Sequence, residues 1–267
     1  MELPDVHEQR PRIALALRSV GVLGLELGQV RLGGGHAWAW ADAFVDLPAN
    51  MRGVHLSRTV RALLENEWGP DACCRVAERL LELHPYSTRS LVRIRGRCNC
   101  AGGRRAWASE ACEARRGGGP PTRIAGASFE VVTACPCALE VSRALYGLPY
   151  THMQRAVVRF RVRSRSILDV GGLLRAASEG LARPADALRR ADEASFVRAV
   201  VESPMFAEDV ARAVALGLAR ALSGDPGAEI YVVVRSLESI HGYDVVASYR
   251  GSAASALGEA GGARWPG

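Results

Sequence analysis

The amino-acid sequence predicts an α+β fold made of two tandem modules, each an antiparallel sheet with helices packed on one face. Some segments alternate with the two-residue period of strands, and longer segments show the 3.6-residue period of helices. Both halves of the chain repeat the order strand pair, helices, strand pair. We place the modules at residues 1–126 and 127–251, followed by a flexible tail at residues 252–267.

The first half begins with two predicted strands within residues 12–46, joined by a turn at Gly33-Gly34-Gly35. Residues 55–84 carry apolar positions at helical spacing, interrupted at Gly69-Pro70. Two further strands are predicted, at residues 90–97 and 129–133. The segment between them, residues 97–123, is rich in Gly and Arg, and we expect an exposed excursion there.

The second half begins with residues 156–163, AVVRFRVR, whose alternation places three arginines on one face of a strand. Residues 167–181 and 206–222 have the pattern of amphipathic helices, and Ser203-Pro204 is a start signal just before the second one. A closing pair of strands is predicted at residues 230–234 and 245–249.

Composition limits the classes of protein that this chain resembles. No apolar run approaches the roughly 20 residues of a membrane span, and the N-terminal residues lack the pattern of a signal peptide, so we expect a cytoplasmic protein without a membrane partner. Seven cysteines at uneven spacing do not form the framework of a secreted scaffold. In a reducing compartment these thiols are available as metal ligands or nucleophiles.

The charge pattern points to an anionic ligand. The net charge is +6, and every basic residue is Arg, whose guanidinium binds phosphate oxygens in a fork. Aromatic residues make up only 6% of the chain, and no basic helix, zinc-finger spacing or RNA-binding motif is present. We therefore expect a small anionic substrate and no nucleic acid.

The segment TACPCA carries two cysteines, Cys135 and Cys137, around a proline. In an extended segment they would point to the same side roughly 6.6 Å apart, so the motif is either a structural turn or a functional thiol site. Two thiols are too few for a metal, and further ligands must come from elsewhere. Candidates follow downstream, a His in THMQR (residues 151–155) and a carboxylate with an imidazole in SLESIH (residues 236–241).

Collinear segments throughout the chain resemble one enzyme family, the GTP cyclohydrolases comprising the bacterial type IB enzymes and the archaeal MptA enzymes. The segments that carry this resemblance are VGVLGLEL, DAFVDLP followed by GVHLSR, TACPCA, THMQR, SPMFAEDV and SLESIH. The resemblance implies a tunnel fold (T-fold) of two modules per chain and a homotetramer with active sites at subunit interfaces. GTP would be the substrate, and Fe²⁺ the cofactor, with Zn²⁺ or Mn²⁺ as alternatives.

The resemblance also implies roles for individual residues. It assigns metal ligands, catalytic residues and residues that bind the triphosphate and neighbouring substrate groups. The metal ligands would be Cys135, Glu179, Glu238 and His241, the catalytic residues His152 and Cys137, and the substrate-binding residues His55, Arg58, Arg155 and Glu202.

One departure from the family pattern concerns the guanine ring. The family usually has a Glu anchor ahead of the SPMF segment, and Arg198 occupies that position in an ungapped alignment. A carboxylate accepts hydrogen bonds from the purine N–H edge, which a guanidinium cannot do. Glu193 or Glu202 would take over this role after a small shift along the helix, and we select Glu202.

The expected reaction is hydrolytic opening of the guanine imidazole ring at C8 with release of formate. The residues of the DAFVDLP and THMQR segments favour the MptA branch over the type IB branch. The product of the MptA branch is 7,8-dihydroneopterin 2′,3′-cyclic phosphate, and that of the type IB branch is the triphosphate. Two alternatives stay open, a T-fold enzyme that reduces a nitrile and a noncatalytic Arg-rich binding protein. An accessory metal site at Cys98, Cys100 and Cys112 is a further alternative to a variable insertion.

Overall fold

A computed structural model describes residues 5–100 and 104–261. This part of the chain has the predicted α+β composition, with eight strands and seven helices. The strands are β1 (Leu17–Leu32), β2 (Gly35–Leu47), β3 (Arg89–Cys100), β4 (Arg104–Arg115), β5 (Thr122–Ala134), β6 (Met153–Ser164), β7 (Glu229–Leu237) and β8 (Val245–Ser252). The helices are α1 (Leu56–Leu64), α2 (Ala72–Leu83), α3 (Pro136–Tyr146), α4 (Val170–Ser178), α5 (Arg190–Glu202), α6 (Ala207–Ala221) and α7 (Ala253–Glu259).

The chain forms two compact units, and each unit is assembled from three stretches of sequence. The first unit consists of Met1–Ala101, Trp107–Ala125 and Arg163–Gly171. The second consists of Gly102–Ala106, Gly126–Val162 and Gly172–Gly267. That these units are two copies of one module stays a prediction.

The first unit contains β1, β2 and β3 in chain order, each antiparallel to the next. The turn between β1 and β2 is the predicted one, and Gly33 and Gly34 both have positive φ values, 65° and 77°. Glycine adopts this left-handed conformation without a steric penalty. The predicted pair of helices is also present, because α1 ends at Leu64 and α2 begins at Ala72, on either side of Gly69-Pro70.

The core of the first unit lies on one face of this sheet. Along β2, Ala37, Ala39, Ala41 and Ala43 are all buried, the two tryptophans between them are more exposed, and the intervening Asp42 is also buried. The small side chains let α2 approach the sheet closely, and Leu80 of α2 is fully buried. The alternation therefore positions the helices on one face, as predicted.

In the second unit, β7 and β8 pair antiparallel and α6 packs against them. Ile230, Val232 and Val234 of β7 are buried, as expected for one face of a strand. A β-carbon at Gly217 of α6 would lie 2.3 Å from the carbonyl oxygen of Ala176, so this glycine permits the close approach of α6 to α4. Along β6, the arginines at 159, 161 and 163 are exposed and the residues between them are buried, which confirms the predicted face.

The prediction of an exposed excursion at residues 97–123 is wrong for the described part of that segment. Residues 101–103 lie outside the described residues, but β3 runs to Cys100, and β4 and β5 account for most of the remainder. The alanines at 106, 108 and 114 are buried. Their small side chains give a weak hydrophobic signal in the sequence, although they alternate along β4 as in a strand with one buried face.

The structure pairs four cysteines, among them the three considered for an accessory metal site, Cys98, Cys100 and Cys112. Cys74 forms a disulfide with Cys112 and Cys98 forms one with Cys100, at Cα–Cα distances of 5.0 and 5.1 Å. Cys73 is a free thiol, and burial raises its pKa well above the usual range. A buried neutral thiol is a poor nucleophile and a poor metal ligand.

The expected flexible tail is in fact helical at its beginning. Ser252 caps α7 by accepting a hydrogen bond from the Ser255 amide at 3.0 Å, and Ala253 and Ala256 are buried. Residues 262–267 lie outside the described residues. Nowhere in residues 5–100 and 104–261 does a helix have the length and hydrophobicity needed to cross a membrane.

Candidate active site

The TACPCA segment forms the start of α3. Cys135 is the N-cap residue, Pro136 follows at the first helical position, and the Cys135 sulfur accepts a hydrogen bond from the Ala138 amide at 3.4 Å. Proline is favoured there because its fixed φ suits the helix and its missing N–H would have no partner. The extended geometry predicted for the two cysteines is therefore wrong, since Cys137 lies in the first helical turn and is exposed.

The THMQR segment is bound directly to this helix start. The Cys135 amide donates to the carbonyl oxygen of His152 at 3.1 Å, and the Thr151 hydroxyl donates to the carbonyl oxygen of Cys135 at 2.8 Å. β6 begins at the next residue, Met153. Two hydrogen bonds thus fix the backbone of His152 next to Cys135.

The SLESIH segment contributes polar side chains at the end of β7. Nδ1 of His152 lies 2.9 Å from the hydroxyl oxygen of Ser239, and Nδ1 of His241 lies 3.4 Å from a carboxylate oxygen of Glu238. The His152 and His241 rings are edge-to-face with centroids 6.4 Å apart. Glu238 also accepts a hydrogen bond from the Ser236 hydroxyl at 2.8 Å, which orients its carboxylate.

The SPMF segment reaches the same region through its backbone. The Met205 amide donates to the carbonyl oxygen of Ala134 at 3.1 Å, immediately before Cys135. Segments far apart in sequence therefore converge in the second unit, and they carry a thiol, two imidazoles and a carboxylate. This combination of groups is suited to metal binding and to proton transfer near neutral pH.

Comparison with known proteins identifies the family of this chain. The family model described as "Type I GTP cyclohydrolase folE2" matches residues 3–247. The chain belongs to this family. It is therefore an enzyme, and a noncatalytic binding protein or a nitrile-reducing relative is no longer an alternative.

Individual relatives come from both branches of the GTP cyclohydrolase FolE2 family. The chain is 31% identical to "GTP cyclohydrolase FolE2" of Nitratidesulfovibrio vulgaris (strain Miyazaki F), covering 92% of this chain and 97% of the relative. It is 28% identical to "GTP cyclohydrolase MptA" of Thermoplasma acidophilum, covering 91% and 93%. Among solved structures, the uricase from Arthrobacter globiformis is similar at 11% identity and a TM-score of 0.47, covering 91% of this chain and 96% of that chain. This TM-score is too low to establish a common fold.

The structure brings together part of the metal-ligand set expected for this family. Glu238 and His241 are in contact, whereas Glu179 is exposed just after the end of α4. Among the described residues, no three of Cys135, Glu179, Glu238 and His241 have ligand atoms that all lie within 4.8 Å of one another. The set of four stays a prediction.

The substrate-binding residues are distributed over both units. In the first unit, His55 is the residue before α1 and its Nε2 lies 3.6 Å from an Asp5 carboxylate oxygen, while Arg58 donates to the carbonyl oxygen of Leu83 at 3.2 Å. In the second unit, Arg155 is 3.4 Å from the Glu130 carboxylate. Their roles toward a substrate stay predictions.

At the expected guanine anchor, Arg198 and Glu202 interact with each other. Arg198 Nε donates to a Glu202 carboxylate oxygen at 2.7 Å across one turn of α5, and both side chains are exposed. The ion pair shows that Arg198 and Glu202 lie on one face of the helix. Glu202 is thus displaced by a single turn from the position of the usual family residue.

Two contacts in this region were not anticipated from the sequence. Ser239 lies inside the SLESIH segment, yet no role was assigned to it, and its partner His152 is 87 residues away. Thr151 precedes His152 and binds the Cys135 carbonyl. In the sequence, the only signal for Ser239 or Thr151 is that each lies next to a candidate site residue. Their contacts are not predictable from the sequence because the partner residues lie far away along the chain.

Proposed function

We propose that this chain is a metal-dependent GTP cyclohydrolase that opens the guanine imidazole ring at C8 and releases formate. The observation that carries the proposal is the convergence of TACPCA and SLESIH on His152, whose backbone binds Cys135 and whose side chain binds Ser239. Membership of the GTP cyclohydrolase FolE2 family supports the substrate and the reaction type.

Cys135, Glu179, Glu238 and His241 would hold the metal, for which we propose Fe²⁺ and retain Zn²⁺ and Mn²⁺ as alternatives. The donor types fit, because a thiolate with imidazole and carboxylate ligands suits ferrous iron or zinc. The contact between Glu238 and His241 supplies two of these donors. A divalent ion lowers the pKa of a coordinated water to about 7 and so provides a nucleophile at neutral pH.

His152 would transfer a proton to the purine ring nitrogen as the imidazole ring opens. Its Nδ1 is engaged by Ser239, so Nε2 is the nitrogen that would exchange a proton with the substrate. The backbone hydrogen bond from Cys135 fixes its position. Cys137, exposed in the first turn of α3, is the second candidate for a catalytic role.

The substrate would be held by groups that match its charge and its hydrogen-bonding edges. Arg58 and Arg155 would neutralise the triphosphate, since guanidinium groups bind phosphate oxygens in a bidentate manner, and His55 would bind the triphosphate or a neighbouring substrate group. Glu202 would accept hydrogen bonds from the guanine N–H edge, with its carboxylate oriented by Arg198.

We propose a two-module T-fold that assembles as a cytoplasmic homotetramer with active sites at subunit interfaces. Large apolar side chains are exposed on α3 and in the loop that follows it, which is unusual for a surface facing water and typical of an interface. They are Val141, Leu145, Tyr146, Leu148 and Tyr150.

We propose 7,8-dihydroneopterin 2′,3′-cyclic phosphate as the product, on the basis of the DAFVDLP and THMQR segments. The triphosphate is a second candidate because a relative named FolE2 is 31% identical. Anaerobically purified protein would be incubated with GTP and Fe²⁺, and the products separated with mass detection before and after phosphatase treatment. Formate together with a cyclic phosphate supports the proposal. Formate together with the triphosphate shows that the reaction is correct but that the product is that of the type IB enzymes. Unchanged GTP with every divalent metal refutes the proposal.

A further inference from the structure

A second cluster of metal-binding groups lies in the first unit, among residues to which the proposed reaction assigns no metal. The carboxylate of Asp5 and the imidazoles of His7 and His55 place their ligand atoms within 4.8 Å of one another. His7 Nδ1 is 3.3 Å from one Asp5 oxygen, and His55 Nε2 is 3.6 Å from the other. Three donor atoms therefore surround one small volume.

The backbone holds these residues in place. The Arg52 and Gly53 amides both donate to the carbonyl oxygen of His7, at 3.1 and 3.2 Å. The His7 amide donates to the Asp5 carboxylate at 2.9 Å, which fixes the carboxylate relative to the imidazole. A β-carbon at Gly53 would lie 3.0 Å from His7 Cδ2, so a glycine there leaves room for the ring.

His55 is held by a different element. It is the residue immediately before α1, and its side chain is only 12% exposed. The His7 and His55 rings lie 4.7 Å apart between centroids, with 42° between their planes. Two independent segments thus bring their imidazoles to one carboxylate.

We propose that Asp5, His7 and His55 form a binding site for a divalent transition-metal ion. Two imidazoles and one carboxylate are the donor set of many zinc and ferrous iron sites, and three protein ligands leave positions open for water or phosphate oxygens. An Asp that forms ion pairs with two histidines and binds no metal would show the same contacts. A measurement of metal binding distinguishes such an ion-pair cluster from a metal site.

Co²⁺ alone is a suitable probe, added to the full chain after removal of metal with a chelator. Bound equivalents would be measured by elemental analysis, and the site itself by the visible absorption of the ion. We expect His7→Ala to lower the number of tightly bound ions by one per chain. The affinity for Co²⁺ should fall by more than the roughly 10–100-fold that is lost when a residue hydrogen-bonded to a metal ligand is removed. Asp5→Asn, which keeps the shape of the side chain, should have the same effect.

Exposed His36, on β2, offers a matched control, and His36→Ala should bind as many ions as the unmodified chain. Co²⁺ should also raise the melting temperature of the unmodified protein through this site, and that part of the rise should disappear in His7→Ala. Cys135→Ser should leave this ion bound, so that failure of the proposed catalytic site would not be mistaken for failure of this one. Equal binding by His7→Ala, Asp5→Asn and the unmodified chain would overturn the proposal.

Discussion

At the scale of single residues, the position of each cysteine in TACPCA separates their expected roles. Cys135 caps α3 and is bonded through its backbone to His152 and Thr151. Cys137 is exposed within the helix and was assigned a catalytic role. The helix start thus directs the two thiols differently, although they are separated by one residue in the sequence.

Replacing Cys135 with Ser should remove the proposed catalytic metal. A hydroxyl is a weaker ligand for Fe²⁺ or Zn²⁺ than a thiolate, so we expect loss of stoichiometric metal and of formate release. Elemental analysis of anaerobically purified protein measures the first and a formate assay the second. Cys137→Ser serves as the comparison, with metal content retained and kcat reduced. Full metal content in Cys135→Ser would contradict the ligand assignment.

At the scale of strands, one buried carboxylate joins three elements of the first unit. Asp42 of β2 has a fully buried side chain and accepts hydrogen bonds from the Gly24 amide at 2.7 Å, from Arg93 Nε at 2.7 Å and from Arg95 Nη1 at 2.6 Å. Gly24 lies at a register shift between β1 and β2 and has a positive φ of 71°. The carboxylate therefore accepts hydrogen bonds from a backbone amide at a bulge in β1 and from two guanidinium groups of β3.

Asp42→Asn should destabilise the protein, because the neutral amide cannot balance both guanidinium groups. Losing the charge of a buried carboxylate that binds two partly exposed guanidinium groups costs on the order of 1–3 kcal/mol in the free energy of unfolding. Urea denaturation followed by circular dichroism measures this difference. Asp192→Asn, an exposed position on α5, is the control and should change stability by less than about 0.5 kcal/mol. Equal stability of Asp42→Asn and the unmodified protein would show that this network is energetically neutral.

A second carboxylate, on β4, makes stability depend on pH. Burial raises the pKa of Glu110 to about 7, and the neighbouring carboxylates of Asp169 and Asp71 act in the same direction. In the unfolded chain its pKa returns to about 4.5. The folded state therefore binds more protons between these values, and stability from this group is present below about pH 4.5 and is lost as the pH rises through about 7.

Glu110→Gln should be more stable than the unmodified protein at pH 8, since the amide needs no proton to stay neutral. We expect a gain on the order of 1–3 kcal/mol at pH 8 that disappears near pH 5. Urea denaturation at both pH values measures it. Glu82→Gln, exposed on α2, should show no such difference between the two pH values. A gain in Glu110→Gln that is the same at pH 5 and pH 8 would exclude titration as its cause.

At the scale of the whole molecule, two of the expected substrate-binding residues, His55 and Arg58, belong to a different unit from the expected catalytic residues. Arg58 lies in the first unit and His152 in the second. We propose that an active site at a subunit interface combines Arg58 of one chain with His152 of another. The proposed homotetramer therefore predicts that two different inactive chains can together form active sites, which a monomeric enzyme cannot do.

Co-expression of Arg58→Ala and His152→Ala chains should restore activity that each variant lacks by itself. In a randomly mixed oligomer with shared sites, about a quarter of the sites receive both intact residues. Formate release by the mixed oligomer, purified through a different tag on each chain, measures this recovery. Co-expression of two differently tagged Arg58→Ala chains is the control. No recovery in the mixed oligomer would place both residues of a site in the same chain.

The sequence by itself determined the family and most regular elements. Strands such as β2 and β6 and helices such as α2 and α6 follow from periodicity, because alternating or 3.6-residue patterns reflect burial on one face. The motif segments identified the candidate site residues. β4, α3, α5 and α7 were not predicted, since their buried positions are largely alanine or few in number.

The three-dimensional contacts depended on packing between distant parts of the chain. His152 contacts Ser239, 87 residues away in sequence, and His55 lies beside Asp5 and His7, where the Arg52 and Gly53 amides bind the His7 carbonyl oxygen. Sequence patterns report which face of an element is buried, but not which side chains from two segments come within hydrogen-bonding distance. Those distances are set by how helices and strands pack, and they turn separate motifs into a site.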